Sequence, residues 1–579
     1  MKPETQSRIG IYVCHCGGNI SDYVDVAQVA AAVAQEPGVT ISRTHMFTCS
    51  DAAQQEIIKD IQEQKLNGLV IASCSPKLHM YTFRAMAERA GVNPYQYVQV
   101  NLREQDSWAH THHRDEATRK GIALVKAGIA KSRLSEPLVP LRVNTKPRVL
   151  VVGGGVTGLK TALALSDLGI AVDVVERSER LGGWVADWKK LYPTGQDGQA
   201  LVAELEQALA QRANIKVHTQ AKVTGRSGNL GDFTIRIRTP QGEQDLNVGA
   251  LVMATGFAAY APLPQEFGFG LPGVVTLPEL KKSLSRGEPL QTSDGRPVKT
   301  LAFIYCVGSR QKKTAAQPQV NTHCSRTCCT AAAHLGLNLT GAYPALRQYH
   351  LYRDVRTYGK HELIFGENRE KGAVYVRFDE KEPPVVSTEG AQLRVKVKDT
   401  LTRREELEIA ADLVVLVTGM LPRENAELIN ILKVPVDRNG FFKEIHPKLR
   451  PVETVMDGLF IAGAAQSPRL IGEAVSSALA AVSKCGALLK KGYVDLEPMI
   501  AVVKTDKCTG CNACLGVCPY QAIEKTVCDG RDQVTVIPFS CKGCGACVPL
   551  CPENALDVKG YTDEQMTAAI TALAQEAAV

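Results

Sequence analysis

The 579-residue chain contains no apolar run of the ~18 residues that read as a membrane-spanning helix. Its start, MKPETQSRIG, lacks the basic-then-apolar pattern of a secretory leader. A cytoplasmic protein with no transmembrane segment is therefore expected. Net charge is only +7, and the basic residues are scattered, so nothing here marks a nucleic-acid footprint. No low-complexity segment interrupts the chain. Hydrophobic residues at 45% and charged residues at 22% describe a globular protein. This length accommodates about three or four domains.

Cysteine is missing from the whole stretch between Cys74 and Cys306, yet the chain holds 18 cysteines. Cys14, Cys16, Cys49 and Cys74 lie near the start. Cys306, Cys324, Cys328 and Cys329 form a second group, nine more fall between Cys508 and Cys551, and Cys485 stands alone. In a reducing compartment such grouping points to metal sites rather than disulfides. Four bound cubane clusters, each roughly −2 with its thiolates when oxidised, would cancel the formal basic excess.

Residues 8–135 open with RIGIYVCHCGG, an apolar strand running into a glycine turn, and GLVIASCSP is a second strand ending at a cysteine. This reads as a small α/β domain over 1–135 with cysteines at strand ends, where sites usually form. The Pro-rich EPLVPLRVNTKP is expected to be a linker over 136–147. Residues 148–495 alternate strands and helices. Residues 496–579 form a cysteine-rich module ending in one helix, with Thr562 as its N-cap and Gln565 three residues on.

Gly153, Gly155 and Gly158 make GxGxxG between the apolar strand RVLVV and a helix, and Glu176 closes the next strand. That is a complete dinucleotide fingerprint: glycines for close approach of a pyrophosphate, a carboxylate for ribose hydroxyls. NAD and FAD both satisfy it. RLGGW with Gly182 and Gly183, LVMATGF with Thr255 and Gly256, and GLFIAGAAQ with Gly463, preceded by Asp457, favour FAD. Together these stretches resemble the flavoproteins with two dinucleotide-binding domains, such as thioredoxin reductase. In that family a late Asp-containing strand binds the flavin diphosphate, and Asp457 is the residue matched to it. The strand KTLAFIYCVGSRQ stands where relatives carry a second GxGxxG, but it has one glycine and a cysteine. A nicotinamide site is not expected there, nor is there the catalytic Cys-x-x-Cys of thioredoxin reductases.

CTGCNACLGVCP and CKGCGACVPLCP each read C-x2-C-x2-C-x3-C-P, the run of bacterial two-cluster ferredoxins. One [4Fe–4S] cluster is expected on Cys508, Cys511, Cys514 and Cys551, the other on Cys541, Cys544, Cys547 and Cys518. Zinc is the plainer alternative, and Cys528 falls outside the pattern. In HCSRTCC, a disulfide between adjacent Cys328 and Cys329 would be strained. Cys324 and Cys328, four apart on a helix, would share a face. With Cys306 they form a quartet of ligands or a set of inert core thiols; spacing leaves both open. Two side chains of the Cys14-His15-Cys16 run point oppositely on any strict strand, so a turn must bring both inward. His15 reads as a turn residue rather than a ligand.

Across nearly its whole length the chain resembles the A subunit of heterodisulfide reductase. VCHCGGNISDYVDV, ASCSPKLHMYTFR, VNLREQDSWAH, the flavin fingerprint, HCSRTCC and the terminal ferredoxin with its YTDEQ tail carry the likeness. The resemblance implies a third cluster on Cys306, Cys324, Cys328 and Cys329 and a fourth on Cys14, Cys16, Cys49 and Cys74. It also implies a cytoplasmic oxidoreductase that bifurcates or confurcates electrons at FAD, working with B and C subunits that reduce a disulfide. Ferredoxin, and a hydrogenase, formate dehydrogenase or NADH-oxidising donor, are the other partners implied, with a homodimer inside the larger complex. Methanogen members insert a further ferredoxin domain in the flavin region, whereas KLYPTGQDGQALVAELEQAL here is free of cysteine. The alternatives are a non-bifurcating flavoprotein relay, as in quinone-interacting oxidoreductases, and a scaffold with a structural flavin. Lys160 and Arg310 are candidates for tuning flavin charge. The fold class expected is α/β: a thioredoxin-reductase-like flavoprotein between an N-terminal α/β domain and a C-terminal α+β ferredoxin domain.

Overall fold

A computed structural model describes residues 7–313, 320–390, 392–528 and 530–577. The chain divides into two compact units. One comprises residues 1–142 and 495–579, the other residues 143–494.

In the first unit, four parallel strands lie in the order Val39–His45, Ile9–Cys14, Gly68–Ser73, Tyr97–Asn101. Ile9–Cys14 and Gly68–Ser73 are buried along their full length. Central strands of a parallel sheet covered on both faces read as such continuous apolar runs. The helices Val26–Val33 and Asp51–Gln64 begin at the capping side chains of Asp25 and Ser50. The chain order 2-1-3-4 places its reversal between the first and third strands, so a crevice opens at their carboxyl ends.

The ferredoxin module belongs to this same unit. Two short antiparallel pairs, Ala501–Val503 with Leu556–Val558 and Ile523–Cys528 with Arg531–Val536, frame its cysteines. The closing helix Asp563–Ala577 starts at the anticipated cap: Thr562 Oγ1 accepts the Gln565 N–H at 3.3 Å, and Gln565 Oε1 accepts the Thr562 N–H at 3.1 Å. That helix packs along Arg114–Arg133. Gln565 donates to the Leu134 carbonyl at 2.8 Å, and Lys131 Nζ sits 3.3 Å from the Tyr561 ring centroid. Residues 1–135 and 496–579, separate domains by sequence, are thus grouped in space. Within the expected linker, Leu141–Asn144 is a short strand, and Arg142 pairs with Asp495 at 2.8 Å.

The second unit contains two five-stranded parallel sheets. The first runs Leu459–Ile461, Ala250–Met253, Arg148–Val152, Ala171–Val175, Ile215–His218. The second runs Val274–Thr276, Leu413–Thr418, Thr300–Val307, Arg347–Tyr352, Val374–Arg377. A three-stranded antiparallel sheet accompanies each. This is the two-dinucleotide-domain architecture anticipated. No helix among the described residues is long and apolar enough to cross a membrane.

Candidate flavin and iron–sulfur sites

The strand Arg148–Val152 runs into Gly153 and the helix Val156–Asp167. Gly153 has φ +117, and a Cβ there would meet the Ala254 carbonyl oxygen at 2.3 Å. A Cβ on Gly158 would meet the Gly153 carbonyl oxygen at 1.9 Å. Gly153 holds the turn tight against the end of a neighbouring strand, and Gly158 holds the helix tight against the turn. Gly155 differs: its Cβ position is open, facing a cleft of ≈ 720 Å³. That leaves the backbone bare at the start of a helix, where the unpaired N–H groups favour an anion.

Glu176, 9% exposed, is held at the cleft floor. Its carboxylate accepts the Gly154 N–H at 2.7 Å and the Ser178 N–H at 2.8 Å. Gly182 and Gly183 have φ +88 and +56, and the Gly182 N–H bonds the Gly154 carbonyl at 2.8 Å, which fastens RLGGW to the fingerprint turn. Thr255 and Gly256 also line the cleft. Gly463, φ +68, lies tight against Thr157 and donates its N–H to Ser477 Oγ at 3.0 Å.

Asp457 is the exception. It stands at the amino end of the strand Leu459–Ile461, whereas the cleft opens at the carboxyl end, where Ala464 forms the lining. Strand direction thus places Asp457 at the opposite end of this strand from the cleft. The positive charge in the cleft comes from Arg177, Lys222, Arg423 and Arg469, none of which belongs to a recognisable motif. Burial pushes the Arg423 and Arg469 guanidiniums down from their ordinary range. Among the described residues Arg423 forms no ion pair; Arg177 and Glu176 act on it with opposite effect, so its burial is left for a bound anion to offset. Bare glycine backbone, a ribose-type carboxylate and an unpaired guanidinium fit an adenine dinucleotide. Lys160 lies on the helix Val156–Asp167 outside the lining.

The third cysteine group closes around the end of the second sheet's central strand. Cys306 lies near the end of the run Thr300–Val307 with φ +64, an uncommon left-handed backbone for a residue with a Cβ. The helix spans Cys328–Ala342, so Cys328 and Cys329 occupy its first turn, at the positive end of the helix dipole. Cys324 precedes the helix on a loop, and its sulfur accepts the Arg326 N–H at 3.4 Å. The shared helical face expected for Cys324 and Cys328 is therefore replaced by a loop closing over a helix start. The Cys328 thiol is raised by its side-chain hydrogen bond with Cys329, by burial, and by the charges of Cys329, Cys306 and Cys324. All four sulfurs thus share one locality. Arg310 places Nη1 4.0 Å from Cys306 Sγ, beside the quartet and not the flavin cleft.

The amino-terminal cysteines converge in the same manner. Cys14 ends its strand, His15 takes a helical conformation, and Cys16 turns back with φ +55. That left-handed residue, followed by Gly17 and Gly18 with positive φ, supplies the turn that brings both thiols inward. Cys14 Sγ accepts the N–H groups of Cys16 at 3.3 Å and Thr48 at 3.4 Å. Cys49 and Cys74 are raised mainly by burial, and both feel Cys14, Cys16 and Arg103. Arg103 Nη1 lies 3.5 Å from Cys16 Sγ. It springs from a π-helical turn, Arg103–Ser107, of the kind frequent at functional sites.

In the ferredoxin module, Cys514 is raised by burial and feels Cys511, Cys508 and Cys551, while Cys547 is raised by burial and feels Cys541 and Cys544. Tyr520 lies near Cys544 and Cys518. The crossing cysteines are equivalent: Cys518 Sγ accepts the Ala522 N–H and Cys551 Sγ the Ala555 N–H, each at 3.2 Å. Cys528 is exposed on its hairpin, and Cys485 is buried within the helix Ile471–Lys490. Among the described residues no three ligands gather closely enough for a single ion. A cubane spreads its thiolates over a much wider tetrahedron, with one sulfur at each iron corner.

The pyridine nucleotide-disulphide oxidoreductase family matches residues 117–272, and the 4Fe-4S dicluster domain matches residues 507–568. The chain is 34% identical to an iron-sulfur A subunit of the CoB–CoM heterodisulfide reductase of Methanopyrus kandleri, covering 91% of this chain and 92% of that one. It is 33% identical to the A subunit of the H(2):CoB-CoM heterodisulfide,ferredoxin reductase of Methanothermobacter thermautotrophicus, covering 90% and 91%. A protein of Archaeoglobus profundus, described as like the heterodisulfide reductase A subunit, is 30% identical, covering 100% and 99%. Among solved structures, the thioredoxin reductase of T. acidophilum aligns at 16% identity with TM-score 0.40, over 59% of this chain and 97% of that one.

Proposed function

We propose, for a chain that belongs to the family of heterodisulfide reductase A subunits, that it distributes electrons within a heterodisulfide-reductase-like complex, loaded with FAD and four [4Fe–4S] clusters. The chain is an oxidoreductase of the flavin and iron–sulfur type. The observation that carries the finer reading is the convergence of Cys306, Cys324, Cys328 and Cys329 at the end of the strand Thr300–Val307. In a two-domain flavoprotein that strand end is the station of the hydride donor. Here it presents four thiols.

When bound, FAD would accept an electron pair and release electrons singly. The chain's residues do the rest. Glu176 orients a ribose through the oxygen lone pairs left by Gly154 and Ser178. Gly155 admits the diphosphate to the helix start, and Arg423 and Arg469 neutralise it. Trp184 and Phe257, stacked 5.7 Å apart, wall one end of the cleft. They also line the small aromatic cavity that Cys328 borders, and so exclude water between cleft and quartet. Cys508, Cys511, Cys514 with Cys551, and Cys541, Cys544, Cys547 with Cys518, would hold two clusters; Cys14, Cys16, Cys49 and Cys74 would hold the fourth. Several one-electron carriers around a single flavin suit bifurcation, with B and C subunits reducing a disulfide and ferredoxin exchanging low-potential electrons.

The test is iron, acid-labile sulfide and FAD in protein purified without air. About 16 iron per FAD is expected from four cubanes. About 8 would leave metal on the ferredoxin cysteines alone and would remove the proposed wiring.

A further inference from the structure

Beside the quartet lies a group of arginines that no flavin or ligand role uses. Arg310 Nη2 pairs with Asp354 at 2.7 Å while its Nη1 reaches toward Cys306 Sγ. Arg356 and Arg377 also address Asp354, at 3.6 and 3.5 Å. Arg353 pairs with Glu380 at 3.0 Å and donates to the carbonyls of Ser309 at 2.9 Å and Arg310 at 3.2 Å. Arg377 Nε in turn bonds the Arg353 carbonyl at 3.1 Å. The Asp354 carbonyl faces Cys329 Sγ at 4.0 Å, so with Arg310 at Cys306 the group touches two of the four cysteines.

Exposure ranks these groups. The Arg353 and Arg310 side chains are 11% and 20% exposed, against 49% and 47% for Arg356 and Arg377. The two inner guanidiniums are the least screened by solvent.

We infer that Arg310, held by Asp354, and Arg353, held by Glu380, form an electrostatic shell that raises the reduction potential of the cluster on Cys306, Cys324, Cys328 and Cys329. Reduction places one electron on the cluster and makes its net charge more negative by one, with no bond formed or broken. Fixed positive charge beside the sulfurs favours that product over the oxidised form. Arg310 and Arg353 are positioning residues that act through the ligands, and Asp354 opposes their charge while holding Arg310 in place. The inference rests on the four-cluster reading.

Opposite charge changes separate this role from simple support of the fold. Holoprotein is poised with titanium(III) citrate and followed by EPR, the relevant signal being the one lost in Cys324→Ser. Arg310→Gln should lower that midpoint, shifting the reduced-to-oxidised ratio about tenfold at fixed poise, equivalent to about 59 mV for one electron. Asp354→Asn should move it the other way. Arg310→Lys should hold it near the parent value. The ferredoxin midpoints serve as the internal reference and should stay put. Unmoved midpoints, or shifts of one sign in Arg310→Gln and Asp354→Asn, overturn the inference. Iron per FAD is measured on every sample: about 16 in the parent with unmoved midpoints fails the shell alone, whereas about 8 fails the four-cluster reading itself.

Discussion

Two alanine substitutions in one motif should fail in different ways. Gly158→Ala adds a methyl group at 1.9 Å from the Gly153 carbonyl oxygen and 3.1 Å from its carbon. These are backbone atoms, so no rotamer change relieves the overlap; the turn must open or the helix must shift. Overpacking of this kind costs about 1–3 kcal/mol. Each kcal/mol lowers the melting temperature by roughly 1–2 °C in a unit the size of residues 143–494. Gly155→Ala meets nothing within 4 Å, and its φ of −76 suits any residue. The free protein should therefore melt as the parent does. Its methyl group would instead stand where the diphosphate approaches, and the loss should be about 10–100-fold in FAD affinity, the equivalent of about 1.4–2.8 kcal/mol. Thermal unfolding of FAD-free protein and FAD titration of both variants distinguish the effects. A Gly155→Ala protein that retains FAD, or a Gly158→Ala protein as stable as the parent, would refute this assignment of the two glycines.

Replacing Arg423 with methionine should weaken FAD about tenfold, roughly 1.4 kcal/mol, while leaving the FAD-free protein as stable or more so, because a half-buried, unpaired cation is removed. Equilibrium titration with FAD and urea unfolding of the free protein check both halves. Asp106 is fully buried, neither carboxylate oxygen has a hydrogen-bond partner, and burial pushes its pKa up to about 6, with Lys120 opposing. The folded protein thus holds this proton more tightly than the unfolded chain. Its stability should be greatest below about pH 4 with respect to this group and decline as pH rises to about 6, by up to about 3 kcal/mol. Asp106→Asn should flatten that decline in denaturant unfolding followed from about pH 4.5 to 7.5; an unchanged slope counts against the buried acid. Cys14→Ser and Cys324→Ser should each remove about four iron per FAD while leaving the ferredoxin signals; iron loss from every site at once would instead mean general unfolding.

The ferredoxin runs and the flavin fingerprint are legible in the chain because their geometry is local. Cys508, Cys511 and Cys514 fall on one short turn whatever surrounds them, and a glycine that must approach its own backbone can be recognised from strand, turn and helix alone. The capping pair Thr562 and Gln565 is local in the same sense. What lies beyond the sequence depends on distant segments meeting. Cys306 joins Cys324, Cys328 and Cys329 only because its strand takes a left-handed residue near its end and residues 321–323 bond back to Arg310 and Gln311 just before the helix starts. Spacing suggests that Cys324 shares the helix, and the structure puts it on the loop. Cys14 and Cys16 face one way through a positive φ that no side chain announces.

Asp457 lies close to Gly463 in sequence, but a strand separates the two, and only the carboxyl end of that strand reaches the cleft. Arg423 and Arg469 carry no motif; their importance comes from burial, which tertiary packing alone creates. The grouping of the ferredoxin module with the first 142 residues is of the same kind, since it depends on one helix lying along another that is distant in the chain. Residue type and spacing determined which chemistry the chain can hold. Chain reversal, burial and the direction of each strand end decided which of those residues meet.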